Sequence, residues 1–287
     1  MTPADLEGAR FGPVDVDLTP AHVAAYVAAT HDDPARWSAA APPGFAAVLL
    51  FAVAGGFLWD ERIADHTRTL LHLDQAFTYH TALPVGMQLS VTGEVTRVRQ
   101  RARAHFVTFE ATAVRGADVV VESRSTFLMS AASSGDPGPD PGEPPATARA
   151  ENVVAPRHAL EVGEMPPLAK SASRADLIQY GAATADHNPI HWDHEAARAG
   201  GAPGVIVHGL LMMAWAIQQV VSIGADADPL ETIKLRFRNP LRPAEQAIVS
   251  CVVGDVAADA RHASVAVTVA RGDETLVTGA AAVRTAG

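Results

Sequence analysis

Residues 186–191 read Asp186-His187-Asn188-Pro189-Ile190-His191, and this stretch decides how the chain is interpreted. It sets a carboxylate and an imidazole five residues apart, with an amide between them and a proline that stiffens the turn. Eighteen residues after His191, Gly209 opens an apolar, helix-like run that extends to Ile217. The first N–H groups of such a helix stabilise negative charge. An acid/base pair ahead of a helix start therefore indicates proton transfer beside a carbonyl group.

Length and composition indicate two globular units. At 287 residues the chain exceeds a typical single domain, and 48% hydrophobic residues are enough for two buried cores. The formal net charge of −10 argues against binding to nucleic acid or to an anionic membrane. Residues 131–150 are rich in Pro, Gly and Ser, which is typical of a linker. We therefore predict a first unit over 1–130, a linker over 131–155 and a second unit over 156–287.

Signals for export or membrane insertion are absent from the sequence. The segment that begins at Met1 lacks the basic region and apolar core of a signal peptide. The longest apolar run, Phe45 to Leu58, is shorter than the roughly twenty residues that span a bilayer, so we expect a buried helix. The single cysteine, Cys251, excludes an intramolecular disulfide and lies in an apolar run where burial is expected. These features predict a soluble, cytoplasmic protein.

The two halves carry the same landmarks in the same order. The run from Tyr26 to Asp32 parallels the run from Tyr180 to Asp186, with small residues between the two ends in both. Pro43-Gly44 ahead of an apolar run parallels Pro203-Gly204 ahead of another. Such a repeat predicts two copies of one fold.

The reactive positions differ between the copies. Arg36 stands where the second copy has His191, and Ala47-Val48-Leu49 aligns with Val207-His208-Gly209. An arginine stays charged and cannot exchange protons as a histidine does. We therefore predict that the first half is noncatalytic and completes the binding site.

The second half resembles the MaoC-like (R)-specific enoyl-thioester hydratases and dehydratases. Their pattern runs Tyr, small residues, Gly-Asp-x-Asn-Pro-aliphatic-His, then His-Gly at the central helix; here Tyr180, 186–191 and His208-Gly209 match it. Ala185 stands where the family usually has Gly, which removes backbone freedom but no reactive group. The whole chain looks like the FAS1-type dehydratase arrangement, in which a degenerate unit precedes a catalytic one. The resemblance implies an α+β double hotdog, with two antiparallel sheets each wrapping a central apolar helix.

The coarse secondary structure agrees with this fold class. Each half opens with a short helix, over Thr19–Thr30 and Ser173–Ala185, and Ser173 with Asp176 is a predicted capping pair. The long apolar helix follows, and runs rich in Val, Thr and Phe then predict four strands per half. These strands are expected at about 69–79, 86–100, 103–115 and 118–130, and at about 230–238, 246–257, 262–271 and 274–284.

The resemblance implies hydration of trans-2-enoyl thioesters, or dehydration of (R)-3-hydroxyacyl thioesters, in fatty-acid or polyketide-type metabolism. Asp186 and His191 would hold the reacting water, one removing its proton as oxygen attacks C3 and the other protonating C2. Asp186 is the favoured base in hydration, provided that burial raises its pKa. Asn188 would orient the pair, and the N–H of Gly209 would bind the thioester oxygen.

Further residues are predicted to contact the substrate, which would be carried on coenzyme A or an acyl carrier protein with no other cofactor. Arginine binds phosphate through paired N–H groups, so basic residues near Phe237 are candidate anchors. The alternating arginines 97, 99, 101 and 103 are either a second anchor or a solvated sheet face. The predicted substrate-binding set is His208, Pro203, Gly204, Arg236, Arg238 and Phe237. Pairing of the two-unit chain into a homodimer is left open.

Other functions stay open beside this one. An intramolecular hydroxyl could add to the enoyl thioester and close an oxygen ring. The chain could also be a noncatalytic acyl-thioester-binding subunit, or a hotdog thioesterase. His187, His191 and His194 lie among acidic residues, but their spacing lacks a zinc-binding helix signature and Pro189 breaks helical phasing. We therefore predict no metal.

Overall fold

Two similar units share one antiparallel sheet in this protein. The computed structural model describes residues 1–143, 152–223, 230–256 and 262–284. The first half contains a short helix α1 (Pro20–Ala29) and the apolar helix α2 (Ala46–Leu58), which is buried on most of its circumference. Its strands are β1 (Arg10–Asp17), β2 (Thr69–Tyr79), β3 (Gln88–Arg101), β4 (Ala104–Arg115) and β5 (Asp118–Ser130).

The second half repeats this plan. Helix α3 (Arg174–Thr184) precedes α4 (His194–Ala199) and the apolar α5 (Gly209–Val220), in which every residue from Leu210 onward is buried. Its strands are β6 (Gly163–Glu164), β7 (Leu168–Lys170), β8 (Leu230–Phe237), β9 (Ala247–Val256), β10 (His262–Arg271) and β11 (Glu274–Arg284).

The two halves join edge to edge. The strand order is β1-β3-β4-β5-β2-β8-β11-β10-β9-β6, with β7 also paired to β9. Strands β2 and β8 meet at the centre, where Phe77 lies opposite Ile233. Helix α2 packs on the strands of the first half and α5 on those of the second. A sheet that wraps a helix buries it almost all round, which explains the apolar sequences of both helices. The α+β double hotdog predicted from the sequence is confirmed.

The predicted elements lie close to the observed ones. The eight expected strands are present with ends shifted by at most two residues among the described residues, and residue 257 lies outside the described part. Ser173 and Asp176 form the capping box. Cys251 is buried, as expected. Strand β1 and the short β6 and β7 were not predicted, because each pairs at an edge of the sheet and carries little periodic pattern.

Residues 134–143 of the predicted linker contact the second half. Ser134 donates to the carbonyl of Gly200 through its backbone N–H at 3.0 Å, and Glu143 pairs with Arg174 at 2.5 Å. Residues 144–151 of that linker lie outside the described residues. The unit boundaries at 130 and 155 stay a prediction. No helix in the described ranges is long and apolar enough to cross a membrane.

Candidate active site

The loop that carries the acid/base pair begins with a residue in the left-handed conformation. Helix α3 ends at Thr184, and its C-cap Ala185 has φ of 62°. This conformation reverses the chain direction, and glycine adopts it most easily. The alanine therefore stands at a position that a Cβ strains. In the first half, His31 follows α1 with φ of 53°, so both halves leave their first helix in the same way.

Asn188 ties this loop to both halves of the molecule. Its Oδ1 accepts from the N–H of Ile190 at 3.3 Å, which caps the short 3₁₀ turn that follows. Its Nδ2 donates to the carbonyl of Leu70 on β2 at 3.0 Å, so the first half holds the loop of the second. Its backbone N–H lies 3.4 Å from Asp186 Oδ1. One amide side chain thus fixes the turn next to the carboxylate.

His191 is held in one tautomer. Its Nδ1 lies 2.8 Å from the carbonyl oxygen of Ile206. A carbonyl oxygen only accepts, so Nδ1 carries the proton of the neutral ring and Nε2 keeps its lone pair. The ring is 7% exposed and lines a cavity. This arrangement prepares Nε2 to take up a proton.

Burial shifts the pKa values of the pair in opposite directions. Burial raises the pKa of Asp186 to about 7, and the N–H of Asn188 opposes that rise only in part. Burial also lowers the pKa of His191 to about 4, against the effect of its bond to Ile206. Desolvation disfavours whichever form is charged. Between these two values the pair holds one proton, on Asp186, and both groups are neutral. A neutral acid beside a neutral base is the combination that adding or removing water requires.

A cavity of about 220 Å³ opens in front of the pair, between the two halves. The second half supplies most of its polar groups, and the first half supplies His72 and a largely apolar wall from α2, the start of β2 and the end of β5. Predicted site residues that line the cavity are Asp186, Asn188, His191, Gly209, Pro203, Phe237 and Arg238. The first-half wall includes Phe51, Leu58, Trp59, Leu70, His72 and Phe127.

Gly209 is the first residue of α5, and its N–H therefore has no partner within the helix. A Cβ added at this position would lie 3.2 Å from the ring of Phe237. The absence of a side chain lets the Phe237 ring pack against the helix start. Both residues line the cavity next to His191, so an N–H donor lies beside the proton-transfer pair.

Three predicted substrate contacts lie away from the cavity wall. Gly204 packs against the ring of His194. Arg236 points outward and pairs with Asp74 at 2.9 Å. His208 is only 1% exposed and lies behind His191 instead of facing the cavity.

The residues that could hold a metal have unsuitable ring geometry. Ligand atoms of Asp186, His191 and His208 lie within 4.8 Å of one another. The two imidazole rings are stacked, however, with centroids 3.7 Å apart and planes only 24° from parallel. Imidazole lone pairs lie in the ring plane, so they cannot converge on one ion at about 2 Å from each nitrogen. In this conformation the three groups do not fit a tetrahedral ion.

The equivalent site in the first half is filled by contacts between the halves. Arg36 donates to the carbonyl of Val221 and lies over the ring of Trp37. Lys170 of the second half is fully buried and donates to the carbonyl of His31 at 2.9 Å. Burial raises the pKa of Asp32, which remains behind these cations. None of these six residues lines the cavity in front of Asp186 and His191.

The structure also corrects the alignment of the two central helices. Counting from Pro-Gly matched Val48 to His208, but the residue that precedes α2 is Phe45. The ring of Phe45 lies 5.5 Å from Tyr26, and the ring of His208 lies 4.9 Å from Tyr180. Phe45-Ala46 is therefore the counterpart of His208-Gly209, because the loop before α5 is longer. The first half still lacks both the histidine and the glycine.

Sequence reasoning missed residues that cross from the first half. His72 lines the cavity from β2, stacked on Phe127 at 4.4 Å and 5.3 Å from Phe237. Burial lowers its pKa to about 3, so it is neutral. Leu70 contributes its backbone carbonyl, and no pattern of side chains in the sequence predicts such a contact. A histidine inside an apolar stretch of the strand, between Leu71 and Leu73, was the only signal in the sequence.

Two family profiles match the chain, one for each half. The profile described as MaoC like domain matches residues 145–274. The profile described as FAS1-like, dehydratase domain region matches residues 6–124. Together they reproduce the arrangement of a degenerate unit ahead of a complete one that the sequence resembles.

Individual relatives agree with these profiles. A 3-hydroxybutyryl-CoA dehydratase of Methylorubrum extorquens is 34% identical over 128 residues, which are 44% of this chain and 80% of that protein. The 3-hydroxyacyl-thioester dehydratase X of Mycobacterium tuberculosis is 25% identical over 231 residues, 79% of this chain and 74% of that protein. A solved structure described as a MaoC-like dehydratase has a TM-score of 0.81 at 21% identity, covering 98% of this chain and 99% of that chain. That last similarity shows the shared fold alone.

Proposed function

The chain belongs to the MaoC-like dehydratase family of hydro-lyases, and we propose that it interconverts trans-2-enoyl thioesters and (R)-3-hydroxyacyl thioesters. The observation that carries this proposal is the buried pair of Asp186 and His191 at the cavity wall. The pair holds a single proton near neutral pH, and the N–H of Gly209 lies beside it. Addition of water across a C2–C3 double bond needs one base, one acid and one donor to the carbonyl.

Hydration would use the two groups in turn. Nε2 of His191 removes a proton from water as the water oxygen bonds to C3. The C2–C3 π electrons move towards the thioester carbonyl, whose oxygen accepts a hydrogen bond from the N–H of Gly209. Protonated Asp186 then gives its proton to C2. A proton passes back from His191 to Asp186 through solvent or product to reset the site, and dehydration runs through the same steps in reverse.

This division of roles differs from the sequence-based expectation that Asp186 is the base in hydration. Two observations support His191 as the base and Asp186 as the acid. The bond from His191 Nδ1 to Ile206 leaves Nε2 as an acceptor. Burial also keeps Asp186 protonated up to about pH 7. A protonated carboxyl cannot take a proton from water, but it can deliver one.

The cavity favours an apolar acyl group. It has a volume of about 220 Å³, and the wall from the first half is largely apolar. Arg238 lies in the lining near Asn239 and is anchored by a bond from its Nε to Thr278 at 2.9 Å. We infer that Arg238 faces the carrier end of the thioester, where its terminal N–H groups can meet a phosphate.

The test is a panel of enoyl thioesters of increasing chain length, each on coenzyme A and on an acyl carrier protein. We expect enoyl absorbance to decline and an (R)-3-hydroxyacyl product to form, with Asp186→Asn as the inactive control. Three results would overturn the proposal: release of free thiol with the double bond intact, ring closure without water uptake, or binding without turnover across the panel. They would indicate a thioesterase, a cyclase and a noncatalytic subunit, respectively.

A further inference from the structure

His208 occupies a helix-capping position without capping the helix. It is the N-cap residue of α5, and its side chain accepts no bond from the helix N–H groups. Serine, threonine, aspartate and asparagine are preferred at this position because their side chains do accept such bonds. Neither ring nitrogen of His208 makes a hydrogen bond of normal geometry with the described residues. A buried polar ring without these bonds costs stability, so the imidazole has another use here.

The ring of His208 contacts two other rings. It stacks on His191, with centroids 3.7 Å apart and planes 24° from parallel. It also lies against Tyr180 of α3, whose ring is tilted by 56° with its centroid 4.9 Å away. His208 is 1% exposed and Tyr180 is fully buried, so neither ring has room to turn. The buried ring of His208 therefore sets the plane of the His191 ring that stacks on it.

Few titratable side chains among the described residues face His191. Asp186 precedes it in the loop, His208 stacks on it from α5, and His72 approaches across the cavity from β2. Burial, followed by the positive charge that His191 carries when it is protonated, drives the pKa of His208 well below its usual range, and the backbone of Asp186 offsets this only in part. The stacked ring is neutral, and its flat face excludes water from one side of His191.

We propose that His208 is a positioning residue for the hydration reaction, holding the plane of His191 so that Nδ1 meets the Ile206 carbonyl while Nε2 faces the cavity. The inference rests on the proposed function, because it assigns His191 the work of proton transfer. It requires a flat ring at position 208, not a titratable one. The first half shows that a ring which cannot titrate fits this place, since Phe45 takes the equivalent position against Tyr26.

The test compares His208→Ala with His208→Phe. Removing the ring lets His191 rotate and become hydrated, so we expect kcat to fall about tenfold with KM changed less than about threefold. In the same variant we expect the pKa of His191 to rise by about one unit or more, because hydration favours the charged ring. The phenylalanine variant keeps the stack and should restore both quantities to near wild type. Leu211→Ala, which trims a buried side chain of the same helix outside the cavity lining, is the matched control and should change neither.

Two measurements separate this inference from the proposed function. The pH dependence of kcat/KM reports the pair during turnover, and NMR titration of the histidine ring signals reports His191 without any substrate. A wild-type pKa for His191 in His208→Ala, or a phenylalanine variant as impaired as the alanine variant, would overturn the positioning role. If no enoyl thioester is turned over by the wild-type protein, the proposed function fails, while the NMR titration still decides whether His208 controls His191.

Discussion

The two halves share a scaffold but differ at the entrance to the central helix. The second half enters α5 through His208-Gly209, which places an imidazole behind His191 and an N–H beside the cavity. The first half enters α2 through Phe45-Ala46, which offers packing alone. The fold therefore accommodates either His-Gly or Phe-Ala at the start of its central helix. Chemistry depends on a few residues set on a scaffold that both halves use equally well.

The second contrast concerns what fills each site. In the second half, Asp186 and His191 face a cavity. In the first, Arg36 and Lys170 bind carbonyl groups of the opposite half, so the site has become part of the interface. A cation that satisfies a buried carbonyl is costly to remove, but it exchanges no proton with a ligand. The absence of an aspartate–histidine pair from the first copy thus coincides with contacts that join the two copies.

The largest expected effect is the loss of kcat on removing the imidazole of His191. The residue to compare it with is Arg36, which was aligned with His191 in the first half. We expect His191→Ala to lower kcat by at least about a hundredfold, because general acid–base steps contribute roughly 10²–10⁴-fold. Arg36→Ala, the matched variant in the first half, should leave kcat within about threefold. Initial rates with one enoyl thioester, with folding checked by circular dichroism, compare the two. Equal losses in two folded variants would remove the functional asymmetry between the halves.

The pH dependence of turnover distinguishes Asp186 from Asp32, the carboxylate at the aligned position in the first half. The productive pair carries one proton, and the pKa values are about 7 for Asp186 and about 4 for His191. We expect kcat/KM to fall above about pH 7, approaching tenfold per unit, as Asp186 loses the proton that C2 requires. Asp32→Asn should show the same profile. A flat profile up to pH 9 in the wild-type protein would exclude Asp186 as the acid.

Stability provides a test that needs no substrate. The pKa of Asp186 is raised from 3.8 to about 7 in the folded state, so its stabilising effect is fully present below pH 3.8 and is lost as pH rises to about 7. At pH 8 the folded protein holds a buried charge that Asp186→Asn removes. We expect this variant to raise the free energy of unfolding by about 4 kcal/mol at pH 8 and by much less at pH 4. Denaturant titration of both proteins at both pH values measures the difference. A lower free energy of unfolding for Asp186→Asn than for wild type at pH 8 would contradict the effect assigned to burial of Asp186.

The smallest effect concerns the left-handed residue before the pair. Ala185→Gly should relieve the strain of φ at 62° and stabilise the protein by about 0.5–1 kcal/mol. Ala182→Gly, inside the exposed face of α3, should instead destabilise it by about 0.5–1 kcal/mol. Thermal unfolding of both variants gives the comparison. The same sign for both changes would mean that position 185 carries no conformational strain.

Much of this architecture could be predicted from the sequence, because it depends on local patterns. Strands between turn residues, helix α2 and the Ser173 cap were each placed within about two residues, and the apolar run expected to end at Ile217 continues to Val220 in α5. The acid/base pair lies within six residues of chain, so its members were bound to meet in space. Gly209 was placed beside them by the resemblance to a known motif.

The rest depended on contacts between distant residues. Leu70 and Asn188 are 118 residues apart, and a backbone carbonyl leaves no mark in a sequence. The burial of His208 behind His191 follows from the contact between Tyr180 of α3 and the start of α5, which residue spacing does not report. The counterpart of His208 was misplaced because Gly204 precedes α5 by five residues and Gly44 precedes α2 by two.

The central claim is that one of two aligned carboxylates carries the chemistry. Its most direct test is the rate of enoyl-thioester hydration by Asp186→Asn and Asp32→Asn, measured at one pH between 6 and 7 with proteins shown to be folded. We predict that Asp186→Asn loses at least about a hundredfold in kcat while Asp32→Asn stays within about threefold of wild type. Near-native turnover by Asp186→Asn, or a comparable collapse in folded Asp32→Asn, would contradict this account of the two halves.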